Sequence, residues 1–250
     1  MKYAFVCKDE KSSKIIKEEI ISKLKGKEDN DQPDYVFTIG GDGTVLDAVR
    51  KYLRIVDEVI FITIHTGNLG FYTEFLPSQL DKIIEVLNDL KINEYHLLKY
   101  QIEREEVYAL NEITITDQHR LLEADIFIND VYFMHVRGNG ICLSTPTGST
   151  AYNKSIGGAI LNPHMEAIQL SLIAPFESVN FPMLTPVVLG KEIIKIRPKN
   201  QYIDITSDRE WISKENVKEI VISLASKQVK FLKNPNNNFI KRLNEKFIGK

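Results

Sequence analysis

The sequence YVFTIGGDGTVL, residues 35–46, decides the fold because an apolar strand runs into three glycines around one carboxylate and then into a helix. Glycines at such a junction let backbone N–H groups approach a bulky anion, and the N-terminus of the following helix favours negative charge. The stretch therefore predicts a phosphate-binding loop. An ordinary strand-to-helix turn with Asp42 as the helix cap is the alternative interpretation. The loop residues are Gly40, Gly41, Asp42, Gly43 and Thr44.

Two better-known glycine-rich motifs do not fit this loop. The dinucleotide fingerprint G-x-G-x-x-G would need a third glycine where Leu46 follows Gly41 and Gly43. The Walker A loop needs Gly-Lys followed by Ser or Thr, a combination that the sequence does not contain. The loop is thus neither a Rossmann fingerprint nor a P-loop.

Strand-like and helix-like segments alternate on both sides of this loop. Apolar runs of strand length are followed by segments with apolar residues at helical spacing, which is typical of a parallel sheet with helices on its faces. The strand-like runs cover residues 3–6, 35–39 and 59–64, and the helix-like segments cover residues 15–24, 46–56 and 80–90.

From about residue 99 the pattern changes to successive strands, with Asn129 and Asp130 placed as a tight hairpin turn. We therefore predict the fold class α/β plus β: an N-terminal α/β parallel-sheet nucleotide domain followed by a C-terminal β-sandwich domain. The predicted bounds are 1–97 for the first domain and 98–235 for the second. A short amphipathic helix over 236–250 is expected to dock back on the first domain.

Composition excludes several classes of protein. Among 250 residues, Lys and Arg number 32 and Asp and Glu 34, a formal net charge of −2, which gives no electrostatic case for a nucleic-acid protein as a whole and leaves only a local basic patch open. No apolar run approaches the ~20 residues of a membrane helix. Only Cys7 and Cys142 are present and no histidine has metal-ligand spacing, so we expect a cytoplasmic protein without its own metal site.

A second segment, residues 143–158, is rich in hydroxyl groups and glycine and contains one aromatic residue. Hydroxyls and exposed backbone suit the many oxygens of a nucleotide, and Tyr152 is placed to stack on a flat base. A Ser/Thr/Gly segment of this length without a function would be unusual. The segment therefore predicts a second part of a nucleotide site.

Together, the GGDGT loop at 40–44 and the TGSTAY segment at 147–152 resemble the NAD kinase family. Two further matches agree in order and spacing: the pair Asn111-Glu112, and residues 137–140, which resemble the family's Arg-Gly-Asp-Gly turn. The resemblance implies phosphoryl transfer to the ribose 2′-hydroxyl of NAD. It also implies the two-domain fold already predicted from periodicity, with the substrate between the domains.

The resemblance makes Asp42 the proton acceptor facing the 2′-hydroxyl. At Asn139 the family commonly has Asp, so recognition of the nicotinamide half is expected to be weaker or different, unless Asn139 only supports a turn. For Arg137 a surface ion pair is the alternative role. The implied NAD-binding residues are Asp42, Gly43, Phe71, Asn111, Glu112, Arg137, Asn139, Thr150, Ala151, Tyr152, Asn153 and Ser155.

The resemblance also implies partners. The phosphoryl donor is expected to be ATP or polyphosphate, accompanied by Mg²⁺ or another divalent cation held mainly by phosphates. A homo-oligomer, either a tetramer or a dimer, is expected. Two alternatives remain open: a lipid or sugar kinase of the same motif group, and a non-catalytic NAD-binding regulator.

Overall fold

The computed structural model describes residues 1–67, 70–176 and 186–249, and the chain divides into two compact units. Unit 1 consists of Met1–Tyr95 and Lys227–Lys250, and unit 2 of His96–Ser226. The first division lies close to the predicted boundary at 97/98. The second lies earlier than the predicted 235/236, because the end of the last strand pairs with the sheet of unit 1.

Unit 1 is built on a parallel sheet. The strand β3 (Tyr35–Ile39) pairs in parallel with β1 (Lys2–Cys7) on one side and β4 (Ile60–Ile64) on the other, while β2 (Lys27–Glu28) lies beyond β1. The helices are α1 (Lys11–Lys23), α2 (Asp42–Lys51) and α3 (Leu80–Val86), with 3-10 helices at Leu53–Ile55 and Pro77–Gln79.

The apolar spacing noted in the sequence fills the core of unit 1. In β3 the side chains of Val36, Phe37 and Ile39 are fully buried, as expected for a central parallel strand covered on both faces. Phe37 stacks on Phe5 with 5.3 Å between ring centroids. Val45 in α2 is also fully buried, so packing fixes where this helix begins relative to β3.

Unit 2 is built from antiparallel strands around a shared apolar core that includes Leu98, Ile113, Leu143 and Ile196. The strands are β5 (Ile92–Ile102), β6 (Glu105–Ala109), β7 (Glu112–Thr116), β8 (Leu122–Ile128), β9 (Val131–Ser144), β10 (Ile168–Pro175), β11 (Val187–Leu189), β12 (Ile194–Pro198), β13 (Tyr202–Ser207), β14 (Glu210–Glu215) and β15 (Ile220–Leu232). A 3-10 helix, Gly148–Thr150, precedes α4 (Tyr152–Ser155). The predicted fold class is confirmed.

The divisions between the units fall inside β5 and β15. Near its start β15 pairs with β12, Ile222 opposite Ile194, and near its end it pairs in parallel with β4, Lys230 opposite Ile60. One strand therefore ends unit 2 and completes the sheet of unit 1.

Two reverse-turn predictions have opposite outcomes. Asn129 and Asp130 have positive φ, 49° and 67°, and join β8 to β9, so the predicted hairpin is confirmed. The predicted turn at residues 137–140 is wrong. These residues lie inside β9, where Gly138 pairs with Leu122 of β8 and with Pro175 of β10, and neighbours on both sides keep the chain extended.

The C-terminal residues form α5 (Phe239–Leu243) and a π-helix, Asn244–Ile248, within unit 1. The helix begins at residue 239 rather than at the predicted 236, because the Asn238 side chain accepts a hydrogen bond from Lys241 N at 2.7 Å and caps it. Residue 250, the last of the predicted helix, lies outside the described residues. No helix in the described ranges is long and apolar enough to cross a membrane.

Candidate active site

The carboxylate of Asp42 is held by two backbone N–H groups. Asp42 is the first residue of α2, and its Oδ2 accepts from Phe71 N at 2.8 Å while its Oδ1 accepts from Tyr72 N at 3.0 Å. Each carboxylate oxygen has a second lone pair, so both can still accept another hydrogen bond. Asp42 is also partly exposed. The residue is therefore oriented by the fold and open to a ligand.

Gly70 permits this arrangement. A Cβ added there would overlap the Asp42 carboxylate, so only glycine lets the chain pass this close. The Gly70 N–H donates to Thr73 Oγ1 at 3.0 Å, which anchors the same loop from its other side. The sequence pattern did not single out this glycine, and only the close approach in the structure explains it.

The glycine-rich loop turns directly into α2. Gly41 caps the helix, its carbonyl accepting from Thr44 N at 2.9 Å and Val45 N at 3.3 Å. The alternative interpretation, with Asp42 as the cap, is therefore wrong, because Asp42 lies one residue later and bonds to the 71–72 segment instead. A Cβ at Gly41 would meet nothing within 4 Å, which leaves open space beside the helix N-terminus.

In unit 2, the pair Asn111 and Glu112 is held by a carboxylate that the sequence analysis missed. Asp208, in the turn between β13 and β14, accepts from Leu110 N at 2.7 Å, Asn111 N at 2.7 Å and Glu112 N at 3.3 Å. Its positive φ of 52° places it at the turn, a conformation that Asp tolerates better than most residues. The available signal was an Asp between two strand-like runs.

Glu112 is a buried carboxyl with an unused oxygen. Burial, and to a smaller extent the charge of Asp208, raises the pKa of Glu112 to about 8, while the Tyr152 N–H works in the opposite direction. Its Oε2 has no hydrogen-bond partner within the described ranges. A buried oxygen without a partner is costly, so a hydrogen bond with a ligand hydroxyl would stabilise this carboxyl.

Three hydroxyls of the segment 143–150 donate hydrogen bonds inside the protein. Thr145 Oγ1 donates to Leu110 O at 2.6 Å, Ser149 Oγ to Pro146 O at 2.6 Å, and Thr150 Oγ1 to Thr147 O at 3.3 Å. The segment also packs against Asn111 so tightly that a Cβ on Gly148 would overlap the Asn111 carbonyl. These contacts hold the segment against residues 110 and 111.

Residues 151–155, which follow this segment, differ in how far their side chains are exposed. Asn153 is fully buried; its Oδ1 accepts from Ser171 Oγ at 2.7 Å, and its Nδ2 has no partner in the part of the chain described. The Tyr152 ring is 42% exposed and Ser155 is exposed, while Ala151 is partly buried. Asn153 thus offers an unused amide, and Tyr152 an open ring face.

Three other predicted contacts have partners of their own or lie on a strand. Arg137 Nε lies 3.0 Å from Glu123 Oε1 across β8 and β9, so the alternative of a surface ion pair is present. Asn139 is exposed in β9. The Phe71 ring lies against Phe247, with 5.5 Å between centroids.

No group of three or more His, Cys, Asp or Glu side chains that could hold a metal ion occurs among the residues that the structure describes.

Comparison with known proteins identifies the family of the chain. The ATP-NAD kinase N-terminal domain matches residues 3–95, and the ATP-NAD kinase C-terminal domain matches residues 110–234. The chain belongs to the NAD kinase family. Relatives include the NAD kinase of Pediococcus pentosaceus, 38% identical and covering 96% of this chain and 95% of its own length. NAD kinase 1 of Bacillus subtilis is 37% identical, and the match covers 100% of this chain and 99% of the relative.

Solved structures of NAD and NADH kinases share the fold. Yeast NADH kinase complexed with NADH has a TM-score of 0.85 at 21% identity, covering 100% of this chain and 87% of its own. The NAD kinase from Archaeoglobus fulgidus in complex with ATP has a TM-score of 0.83 at 24% identity, covering 100% and 98%. The family and fold expected from the GGDGT and TGSTAY segments are confirmed.

Proposed function

We propose that this NAD kinase transfers a phosphoryl group to the 2′-hydroxyl of the adenosine ribose of NAD, which yields NADP. Full-length relatives at 36–38% identity support a phosphotransferase acting on NAD. Within the chain, the observation that carries the proposal is the buried, unpartnered Oε2 of Glu112, which a ribose hydroxyl would satisfy. A lipid or sugar kinase and a non-catalytic regulator are disfavoured by the family assignment.

Asp42 is the catalytic residue in this proposal. A carboxylate is a weak base for a sugar hydroxyl, so the proton transfers late, when the hydroxyl oxygen has begun to bond to phosphorus and has become acidic. The Phe71 and Tyr72 N–H groups orient the carboxylate and leave a lone pair on each oxygen for the hydroxyl. Orientation is therefore as important to its role as basicity.

The remaining site residues bind NAD in the proposal. Glu112 and Asn111 bind ribose and adenine groups, and the exposed Tyr152 ring and the buried Asn153 amide lie in the segment that follows. The proposed NAD-binding set is Asp42, Gly43, Phe71, Asn111, Glu112, Arg137, Asn139, Thr150, Ala151, Tyr152, Asn153 and Ser155. Gly40, Gly41, Gly43 and Thr44 are assigned to phosphate.

ATP or polyphosphate is the proposed donor, and Mg²⁺ or another divalent cation accompanies it. The cation would neutralise charge on the transferred phosphoryl group, and Asp42 would be its carboxylate contact from the protein. The proposal also includes a homo-oligomer, a dimer or tetramer, located in the cytoplasm. Exposed Val131 and Tyr132 beside the β8–β9 turn support self-association, and light scattering at several protein concentrations tests it.

The decisive experiment compares NADP formation by the wild type and by Asp42→Asn, with NAD, ATP and Mg²⁺. The variant keeps the size of the side chain but loses the proton acceptor, so kcat should fall by roughly 10²–10⁴ while the KM for NAD changes little. Asp81→Asn, an exposed aspartate in α3, is the control and should keep full turnover.

A second comparison offers the wild type NAD, a sphingoid base and diacylglycerol as acceptors, and ATP and polyphosphate as donors. Only NAD should be phosphorylated. Phosphorylation of a lipid, or normal turnover of Asp42→Asn with NAD, would overturn the assignment.

A further inference from the structure

The C-terminal segment of the chain lies on the loop that holds Asp42. The side-chain amides of Asn234 and Asn237 both donate to Glu74 O, at 2.9 Å and 2.6 Å. Glu74 N in turn donates to Thr63 Oγ1 at 2.9 Å, which connects the loop to β4. Residues far apart in sequence therefore fix a segment that lies two residues after the Asp42-binding amides.

Arg242 in α5 and Glu74 form a buried ion pair. Arg242 Nη2 lies 2.8 Å from Glu74 Oε1, close enough for charge attraction although the two groups are not aligned for a hydrogen bond, and the side chains are 8% and 6% exposed. Buried ion pairs are weak contributors to net stability, because desolvation offsets the attraction. Net stability therefore does not explain why Arg242 and Glu74 are buried together beside the loop that holds Asp42.

The second contact of Arg242 supplies that explanation. Its Nη1 donates to Phe71 O, and the N–H of the same residue, Phe71, donates to Asp42 Oδ2. The next peptide is held as well, since Tyr72 N donates to Asp42 Oδ1 and Tyr72 O accepts from Thr63 Oγ1 at 2.7 Å. One residue thus separates the guanidinium of Arg242 from the Asp42 carboxylate.

The guanidinium suits this double contact. Its planar group donates a hydrogen bond to the Phe71 carbonyl through Nη1 while its positive charge lies beside Glu74, whereas a lysine ammonium is a compact charge on a flexible chain. The charge of Glu74 attracts the guanidinium, and the guanidinium holds the Phe71 carbonyl.

We infer that Arg242 is a positioning residue for phosphoryl transfer, acting through the 71–72 peptides to hold the Asp42 carboxylate in its reactive orientation. The inference rests on the proposed role of Asp42. It assigns a function to the returning C-terminal segment, which supplies a part of the site without touching the substrate.

The first test is Arg242→Lys, which keeps the charge and loses the planar donor set. We expect kcat to fall about 10- to 100-fold, because a displacement of about 1 Å in a reacting group has effects of this size. The KM for NAD should change little. Lys241→Gln is the matched control in the same helix: its Nζ lies 3.9 Å from Glu245 Oε1 in an exposed pair, and turnover should be unchanged.

A second variant distinguishes loss of positioning from loss of folding. Arg242→Met combined with Glu74→Gln removes both charges, so no unpaired charge is left buried. We expect this protein to melt cooperatively and to remain slow. Wild-type turnover in a folded double variant would overturn the inference.

A double-mutant cycle with Asp42→Asn separates positioning from any other effect. If Arg242 acts through Asp42, Arg242→Lys should cause little further loss in the Asp42→Asn background. The same fold-loss in both backgrounds would refute the inference and leave the role of Asp42 standing. Normal turnover of Asp42→Asn alone would instead refute the proposed function.

Discussion

At the scale of single residues, the two candidate carboxyls have opposite environments. Asp42 is partly exposed and accepts two backbone N–H groups, whereas Glu112 is buried with one oxygen unused. Different environments give two groups of similar chemistry different roles. In the proposed function, Asp42 takes the reacting proton and Glu112 binds a hydroxyl of the substrate.

Gly70→Ala tests how strictly Asp42 is held. The added methyl would overlap the carboxylate, so the side chain or the 71–72 peptides must shift, and we expect kcat to fall at least about 100-fold. Gly67→Ala in the same loop is the control, since a Cβ there meets nothing within 4 Å. Steady-state assays measure both; equal turnover of the two variants would contradict the close approach.

Glu112→Gln tests the buried carboxyl through the pH dependence of stability. Its pKa of about 8 in the folded chain lies above the ordinary 4.5, so its contribution to stability is complete below 4.5 and is lost as the pH rises to about 8. Gln cannot ionise. The melting temperature should therefore fall less between about pH 6 and about pH 9 in Glu112→Gln than in the wild type.

The control for this pH series is Glu85→Gln, an exposed residue of α3, which should show the same fall as the wild type. An identical fall in all three proteins would mean that Glu112 is not the group that titrates.

At the scale of elements, a hairpin turn holds a binding strand in place. The turn between β13 and β14 inserts Asp208 against the N–H groups that open β7, and Asp208 N donates back to Glu112 O at 3.0 Å. The turn and the strand therefore form one hydrogen-bonded unit. Burial raises the pKa of Asp208, while the three backbone N–H groups that bond to its carboxyl work in the opposite direction.

Asp208→Asn should raise the KM for NAD about 10-fold or more, because an amide turns one acceptor into a donor that faces N–H groups. The matched control is Asp130→Asn in the β8–β9 turn, also at positive φ, where only an exposed contact with Lys195 is changed. NAD titration of both variants measures the effect. An unchanged KM in a folded Asp208→Asn would show that the turn does not position the pair.

The sequence predicts an element correctly where apolar periodicity and turn residues within the element determine its structure. The β3–α2 junction and the Asn129–Asp130 turn follow from apolar periodicity and turn chemistry. Residues 137–140 resembled a turn by their glycines, yet pairing with β8 and β10 keeps them in a strand. Composition did not reveal that hydroxyls of the 143–150 segment donate to backbone carbonyls, because these carbonyls are set by tertiary packing.

At the scale of the whole molecule, the missed residues are those that act over long sequence separations. Asp208 bonds to residue 111 across 97 positions, and Arg242 to residue 71 across 171. A single sequence carries no record of such pairs, since neither spacing nor propensity links them. The order of residues along the chain therefore predicted the fold and the motifs but not what supports them.

Because residues 227–250 belong to unit 1, this unit is completed only late in synthesis of the chain. On the ribosome, which adds ~5–20 residues per second, β4 emerges long before its partner β15. The edge of β4 that pairs with β15 therefore has no partner strand while unit 2 is synthesised. If Arg242 positions Asp42 as inferred above, a nascent chain that already contains Asp42 reaches full turnover only after α5 has emerged and Arg242 has reached Phe71.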